Sequence, residues 1–196
     1  LVDSMDEFVH KEKDPQVILQ MFLTLSEMPA TDEAAGMIFE FAASGITDQV
    51  LVDAVTVAAS VHCTKHFHYF RQTEVWVTIR EVEVKKTVHR TPASSLPIVR
   101  VVAEHFGRTR PGTKDLADFL VDITLADTPL MDAALEGIIA GLPPKFEFTT
   151  NDDVDAAFTQ LLKASKVTSR SQIVKLASIC GSRVLESYSK VIVDSL

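Results

Sequence analysis

Apolar residues at helical spacing recur along this chain in runs of about a dozen residues, and each run is bounded by a cap residue, a proline or a glycine. Such punctuation restricts the chain to short helices that each bury one face against a neighbour. Pro15 sits where a first helical turn tolerates it, and Val17, Met21, Leu25 and Met28 then recur at helical spacing with Ile18 and Phe22 beside them. Pro29 stops that helix. Thr31 precedes Asp32 and Glu33, which reads as an N-cap with an acidic first turn. Ala34, Ile38 and Phe41 mark the inner stripe of the second helix, and Ser44-Gly45 ends it, with Gly45 suited to a left-handed cap. The pair is a helical hairpin with a short connection.

The same grammar continues. A third helix is expected from about Asp48 to Ser60, with Val52, Val55 and Ala59 on one face, and His62 to Phe70 begins its partner. Residues 74–84 fit either a helical stripe or the alternation of a short β-hairpin; the helical neighbours favour helix. Pro92 and Pro97 bracket a loop with Ser94 and Ser95, followed by a helix from Leu96 to Phe106. Gly107 to Gly112 reads as the clearest loop. Thr113 caps a helix with Leu116, Leu120, Ile123 and Leu125 inward. Asp127-Thr128-Pro129 opens the next, with Leu130, Ala134 and Ile138 on its apolar side and Gly141 to Pro144 closing it. Asn151 or Asp152 caps a helix through Ala164, Ser169 caps one through Cys180, and Ser182 starts the last. The expectation is an all-α fold of stacked helical hairpins, a short α-solenoid forming one helical-repeat domain over residues 1–196. With 46% hydrophobic residues the chain has material for a core, and 7 Gly with 8 Pro are too few turn formers for an all-β chain of this length.

Charge narrows the partners. The formal net charge is −8, yet residues 80–114 are net basic through Arg80, Lys85, Lys86, Arg90, Arg100, Arg108, Arg110 and Lys114. Three readings of this patch stand: a solvated face or partner for the acidic flanks, a docking site for an acidic protein surface, and an RNA contact. No apolar run reaches the roughly 18 residues needed to span a bilayer. The two cysteines, Cys63 and Cys180, form no CxxC pair, which fits a reducing compartment. A chain that begins at Leu1 reads as a fragment or a processed form.

Internal repetition is the most specific signal. Val17 to Leu23, followed by Thr31-Asp-Glu-Ala-Ala-Gly-Met-Ile-Phe-Glu-Phe-Ala-Ala-Ser-Gly-Ile46, resembles a pentatricopeptide repeat, with Asp32-Glu33-Ala34, Ile38-Phe39 and Gly45-Ile46 matching the family pattern. Further units open at Val50 to Asp53 and at Leu130 to Asp132, and Lys114 to Leu120 resembles a second helix. The resemblance implies stacked hairpins. In RNA-binding members a polar residue early in the first helix reads a base; the matching positions here are Gln20, Asp53 and Asp132. Two acids and an amide on a chain of net −8 argue against that use. Other members are protein-binding subunits, among them the accessory subunit on the catalytic head of the euglenozoan mitochondrial ATP synthase, to which this chain is similar in its small size and few degenerate repeats. The resemblance thus implies a noncatalytic subunit in the mitochondrial matrix, bound to protein subunits of a larger assembly. It implies no cofactor and no small-molecule ligand. Arg80, Lys85, Lys86, Arg108 and Arg110 are the candidate partner contacts.

Other chemistry reads weakly. His62, Cys63, His66 and His68 form a metal-like cluster, with His62 and His66 at i, i+4, but Lys65 stands among them and no carboxylate is near. Gly107 to Lys114 has Gly-Thr-Lys where a phosphate loop needs Gly-Lys-Ser/Thr. Asp152, Asp153 and Asp155 lack the glycine and distal glutamate of a calcium loop and fit the start of a helix. No serine lies in GxSxG. Tyr69 and Trp76 are read as core residues before interface anchors, and the terminal helix with Tyr188, Val191 and Ile192 is expected to pack on the helix before it.

Overall fold

Helix starts are set by local hydrogen bonding before any tertiary contact is considered. The computed structural model describes residues 12–44, 46–62, 93–144 and 146–186. Among these the regular structure is entirely helical: α1 (Pro15–Glu27), α2 (Asp32–Ala43), α3 (Gln49–Val61), a 3-10 turn (Ala93–Ser95), α4 (Leu96–Arg108), α5 (Thr113–Thr124), α6 (Thr128–Gly141), α7 (Asp152–Ala164) and α8 (Val167–Ile179). The chain is all-α, as its periodicity predicts. The choice between helix and β-hairpin at 74–84, the Gly45 cap, Tyr69, Trp76 and the terminal helix beyond residue 186 lie outside the described residues.

Five starts use a side-chain cap. The Asp14 carboxylate accepts from the Gln16 N–H at 2.9 Å, Thr31 Oγ1 from Ala34 at 3.2 Å, and Asp48 from Val50 at 2.9 Å. Asp127 accepts from Leu130 at 3.2 Å and Asn151 from Val154 at 3.0 Å. Each satisfies a donor that the helix cannot, a contribution of about 1 kcal/mol. Pro15, Pro97 and Pro129 occupy first turns of α1, α4 and α6, where the missing N–H costs nothing. Met28 precedes Pro29 and is extended, with ψ 152°, so α1 ends there.

Two expectations about helix starts are corrected. Gly112, without a side chain, holds the cap position of α5, and Thr113 is the first helical residue. Ser169 lies fully buried inside the first turn of α8, whose cap position is Lys166. His62 ends α3, donating its N–H to the Ala58 carbonyl at 3.2 Å, and the partner helix expected from His62 to Phe70 lies outside the described residues. After α8, Gly181 adopts φ +66°; its N–H donates to Ser178 O and the Ser182 N–H to Ala177 O at 2.9 Å, a left-handed cap that turns the chain back toward α7.

The hairpins stack in two rows. The first helices α1, α3, α4, α6 and α8 pack one upon the next in that order, and α5 packs on α7 in the second row. Aromatic pairs join the rows: Phe22 of α1 meets Phe41 of α2 with ring centroids 4.7 Å apart, and Phe106 of α4 stacks on Phe119 of α5 at 5.1 Å. One apolar core runs from Ile18 through Phe158 to Val184. Neither hairpin face is buried by its own partner alone, which is why stacking stabilises the array.

The closest contact in the stack, between α4 and α6, depends on glycine. A Cβ built on Gly137 would lie 2.1 Å from the Arg100 carbonyl oxygen, and one on Gly141 2.0 Å from that of Glu104. Gly107 sits against Ile138 and Gly141 from the other side. Gly107, read from sequence as the start of a loop, is therefore a buried helical residue, and Gly141, which ends α6 as expected, is buried beside it where two backbones meet.

Candidate functional site

Each first-row helix keeps one side exposed, and the Arg100–Glu136 pair joins these sides between α4 and α6. On α1 it carries Val17, Gln20, Thr24 and Glu27; on α3, Val50, Asp53, Val57 and Val61. On α4 the run is Pro97, Arg100, Glu104 and Arg108, spaced three or four residues apart and hence on one helical face. On α6 it is Pro129, Asp132, Glu136 and Ala140, and on α8 Val167, Ser171 and Lys175.

Gln20, Asp53 and Asp132 each belong to the exposed side of a first-row helix. Asp53 and Asp132 are each the fifth residue of their helix, a shared register; Gln20 is the sixth of its own. Gln20 and Asp53 are exposed. Asp53 accepts a hydrogen bond from Gln49 Nε2 at 2.8 Å. Asp132 is part-buried, and its Oδ1 has no hydrogen-bond partner. The three residues thus share a row but differ in environment.

The two arginines of α4 on this side are already engaged. Arg100 of α4 pairs with Glu136 of α6 at 3.1 Å, and Arg108 pairs with Glu104 one turn away. Lys114, at the start of α5, is 2.6 Å from Asp118; that hydrogen bond and the carboxylate charge raise the lysine pKa. Arg110 is exposed in the loop after α4 with φ +57°. The described half of the basic segment is thus largely neutralised within the molecule. Arg80, Lys85, Lys86 and Arg90 lie outside the described residues.

The remaining candidates resolve into structural roles. His62 is fully buried; its Nε2 lies 3.0 Å from the Leu25 carbonyl oxygen and its Nδ1 3.4 Å from the Thr31 N–H. Accepting at Nδ1 leaves Nε2–H as the donor, so the ring pins the end of α1 to the start of α2 and has no nitrogen left for a metal. Cys63, His66 and His68 lie outside the described residues. Asp155 accepts from Ser182 Oγ at 2.6 Å, from the Arg183 N–H at 3.2 Å and from Arg183 Nε at 2.9 Å, while Arg183 Nη2 reaches Asp152 at 2.6 Å. Burial alone would raise the Asp155 pKa, but the hydrogen bonds from Ser182 and Arg183 together bring it below its ordinary value. Cys180 is a buried free thiol whose pKa burial pushes up to about 12.

Two features escaped the sequence reading. The Arg100–Glu136 pair needs the α4–α6 register, which no local pattern specifies. The exposed valines Val50, Val57 and Val61 were legible in principle, since spacings of seven and four place them on one face beside the α3 core stripe. Comparison of the chain with protein-family models, characterised proteins and solved structures finds no match.

Proposed function

We propose that this chain is a noncatalytic accessory subunit whose stacked first helices bind protein within a larger assembly. The observation that carries this reading is the state of the α4 cations: Arg100 and Arg108 pair with Glu136 and Glu104. RNA binding draws its affinity from lysines and arginines that neutralise phosphates and release counterions. A row of carboxylates, internally paired arginines and exposed valines offers little of that, and much that suits a protein surface of complementary charge. No described helix is long and apolar enough to cross a membrane.

The pentatricopeptide-repeat resemblance directs the proposal further. It names a mitochondrial matrix assembly, with the catalytic head of the ATP synthase as the first to test. The test is a native pull-down of the tagged chain from its source organelle, with and without nuclease, read by mass spectrometry. A stoichiometric set of protein subunits that survives nuclease supports the reading and names the complex. Recovery of RNA, with partners lost on nuclease treatment, overturns it in favour of RNA binding through Gln20, Asp53 and Asp132.

A further inference from the structure

Exposed large apolar side chains are not spread evenly over this molecule. Among the described residues they are Val17, Leu23, Val50, Val57, Val61 and Val167, and five of these six lie on α1 and α3, which pack against each other. On α3 they form a stripe. Val50, Val57 and Val61 are 58%, 51% and 44% exposed, and they recur at spacings that keep them on one side of the helix. Helix packing within the stack has already used the adjoining face, where Leu51, Ala54, Val55, Ala58 and Ala59 are buried.

Among the described residues of α1 to α3 the charge is one-sided. Residues 12–62 carry eight acidic residues and a single cation, Lys13. Asp53 stands in the middle of the valine stripe, Asp48 caps its beginning, and Glu27 ends the neighbouring α1; all three are exposed. This contrasts with α4, whose exposed face alternates Arg100, Glu104 and Arg108 in pairs. A second copy of the chain would bring the same carboxylates face to face, and an anionic membrane would meet them with like charge. Both approaches are repelled.

We infer that the α1–α3 face docks a cationic amphipathic helix of a partner protein, its apolar side on Val50, Val57 and Val61 and its lysines or arginines toward Asp48, Asp53 and Glu27. A helix laid in register against this stripe anchors at i, i+3 or i+4, and i+7 positions, which matches the valine spacing. The apolar contact supplies affinity, and the carboxylates select the sign of the partner. This assignment rests on the protein-binding reading and adds the surface and the chemical class of the occupant.

The test uses the full chain and a fluorescently labelled peptide of leucines and lysines in helical amphipathic order. A peptide of the same composition in scrambled order and one with glutamate for lysine serve as comparisons. The amphipathic lysine peptide is expected to bind about tenfold or more tightly than either. The triple variant Val50→Ser, Val57→Ser, Val61→Ser and the single variant Asp53→Lys should each lose about tenfold, while Val167→Ser, which removes the exposed valine of α8, should bind like the parent. Circular dichroism checks that each variant is folded, and because Asp53→Lys leaves the valines intact the two losses test separate halves of the assignment. Equal binding of the scrambled or the glutamate peptide overturns the inference, as does undiminished binding by the folded triple variant or by Asp53→Lys. Carrying the triple variant through the organelle pull-down separates the two proposals. A full set of protein partners retained by the variant removes this surface and leaves protein binding standing, whereas no protein partners even for the parent chain removes protein binding itself.

Discussion

Gly141 of α6 lies so close to Glu104 of α4 that a Cβ at position 141 would stand 2.0 Å from the Glu104 carbonyl oxygen. The obstacle is backbone and cannot rotate away. Gly141→Ala is therefore expected to destabilise the chain by about 1–3 kcal/mol, even though alanine is the better helix former. Gly137→Ala, which meets the Arg100 carbonyl oxygen at 2.1 Å, should behave alike. Urea denaturation of both variants against the parent chain measures this; a gain in stability would show that the α4–α6 contact is looser than described.

Gly181 offers the converse case. Nothing lies within 4 Å of a Cβ placed there, yet its φ is +66°. Gly181→Ala should cost about 1 kcal/mol through backbone conformation alone. Gly181→Asn, which tolerates the left-handed region better, should recover part of the loss in the same denaturation assay.

His62 joins Leu25 O to the Thr31 N–H from a fully buried position. Replacing it with phenylalanine keeps an aromatic volume but strands the Thr31 donor, while Leu25 O retains the Met28 N–H at 3.1 Å. His62→Phe should cost about 1–2 kcal/mol. His62→Ala should cost more, because a cavity is added to the lost bonds. Thermal unfolding of the two variants orders these effects.

The Asp155 carboxyl has a lower pKa in the folded chain than its ordinary 3.8, because the hydrogen bonds from Ser182 and Arg183 outweigh burial. A folded pKa below the unfolded one adds stability that is present above the unfolded value and lost as pH falls through the folded one. Asp155→Asn should therefore lower stability at pH 7 by about 1 kcal/mol, and the gap between variant and parent should close below pH 3.8. Denaturation at pH 7 and under acid conditions reads both the size and the sign.

Cys180 is buried at the end of α8, with a pKa pushed up to about 12. Thiolate is the reactive form, so a thiol reagent at pH 8 should label position 180 at least about a hundredfold more slowly in the folded chain than in urea. The rate should rise with denaturant as local opening grows more frequent. Prompt labelling without denaturant would mean that the end of α8 opens freely.

Much of the secondary structure is legible locally because its determinants are local. Asp14, Thr31, Asp48, Asp127 and Asn151 cap their helices with their own side chains, and Pro29 stops α1 wherever the helix is placed. The apolar stripes of α5 and α6 likewise predict Leu116, Leu120, Leu130 and Ile138 as buried, and they are. The same reasoning errs where two readings share one local signal. Val17 fits the α1 stripe by spacing but is exposed, because Ile18, Met21, Phe22 and Leu25 are the residues turned to α3 and α2.

The amino-acid order by itself determined the all-α class, the positions of most helix starts and the excess of acid near the N-terminus, since periodicity, capping and charge act over a few neighbouring residues. Only the tertiary structure decided that Gly107 is a packing residue instead of a loop former, that Gly141 meets the backbone of α4, that Arg100 meets Glu136, that Ser182 and Arg183 close on Asp155, and that the valines of α3 remain exposed. Each of those outcomes depends on which helix lies beside which and in what register, and that is chosen by the summed packing of many side chains, a quantity no single segment carries.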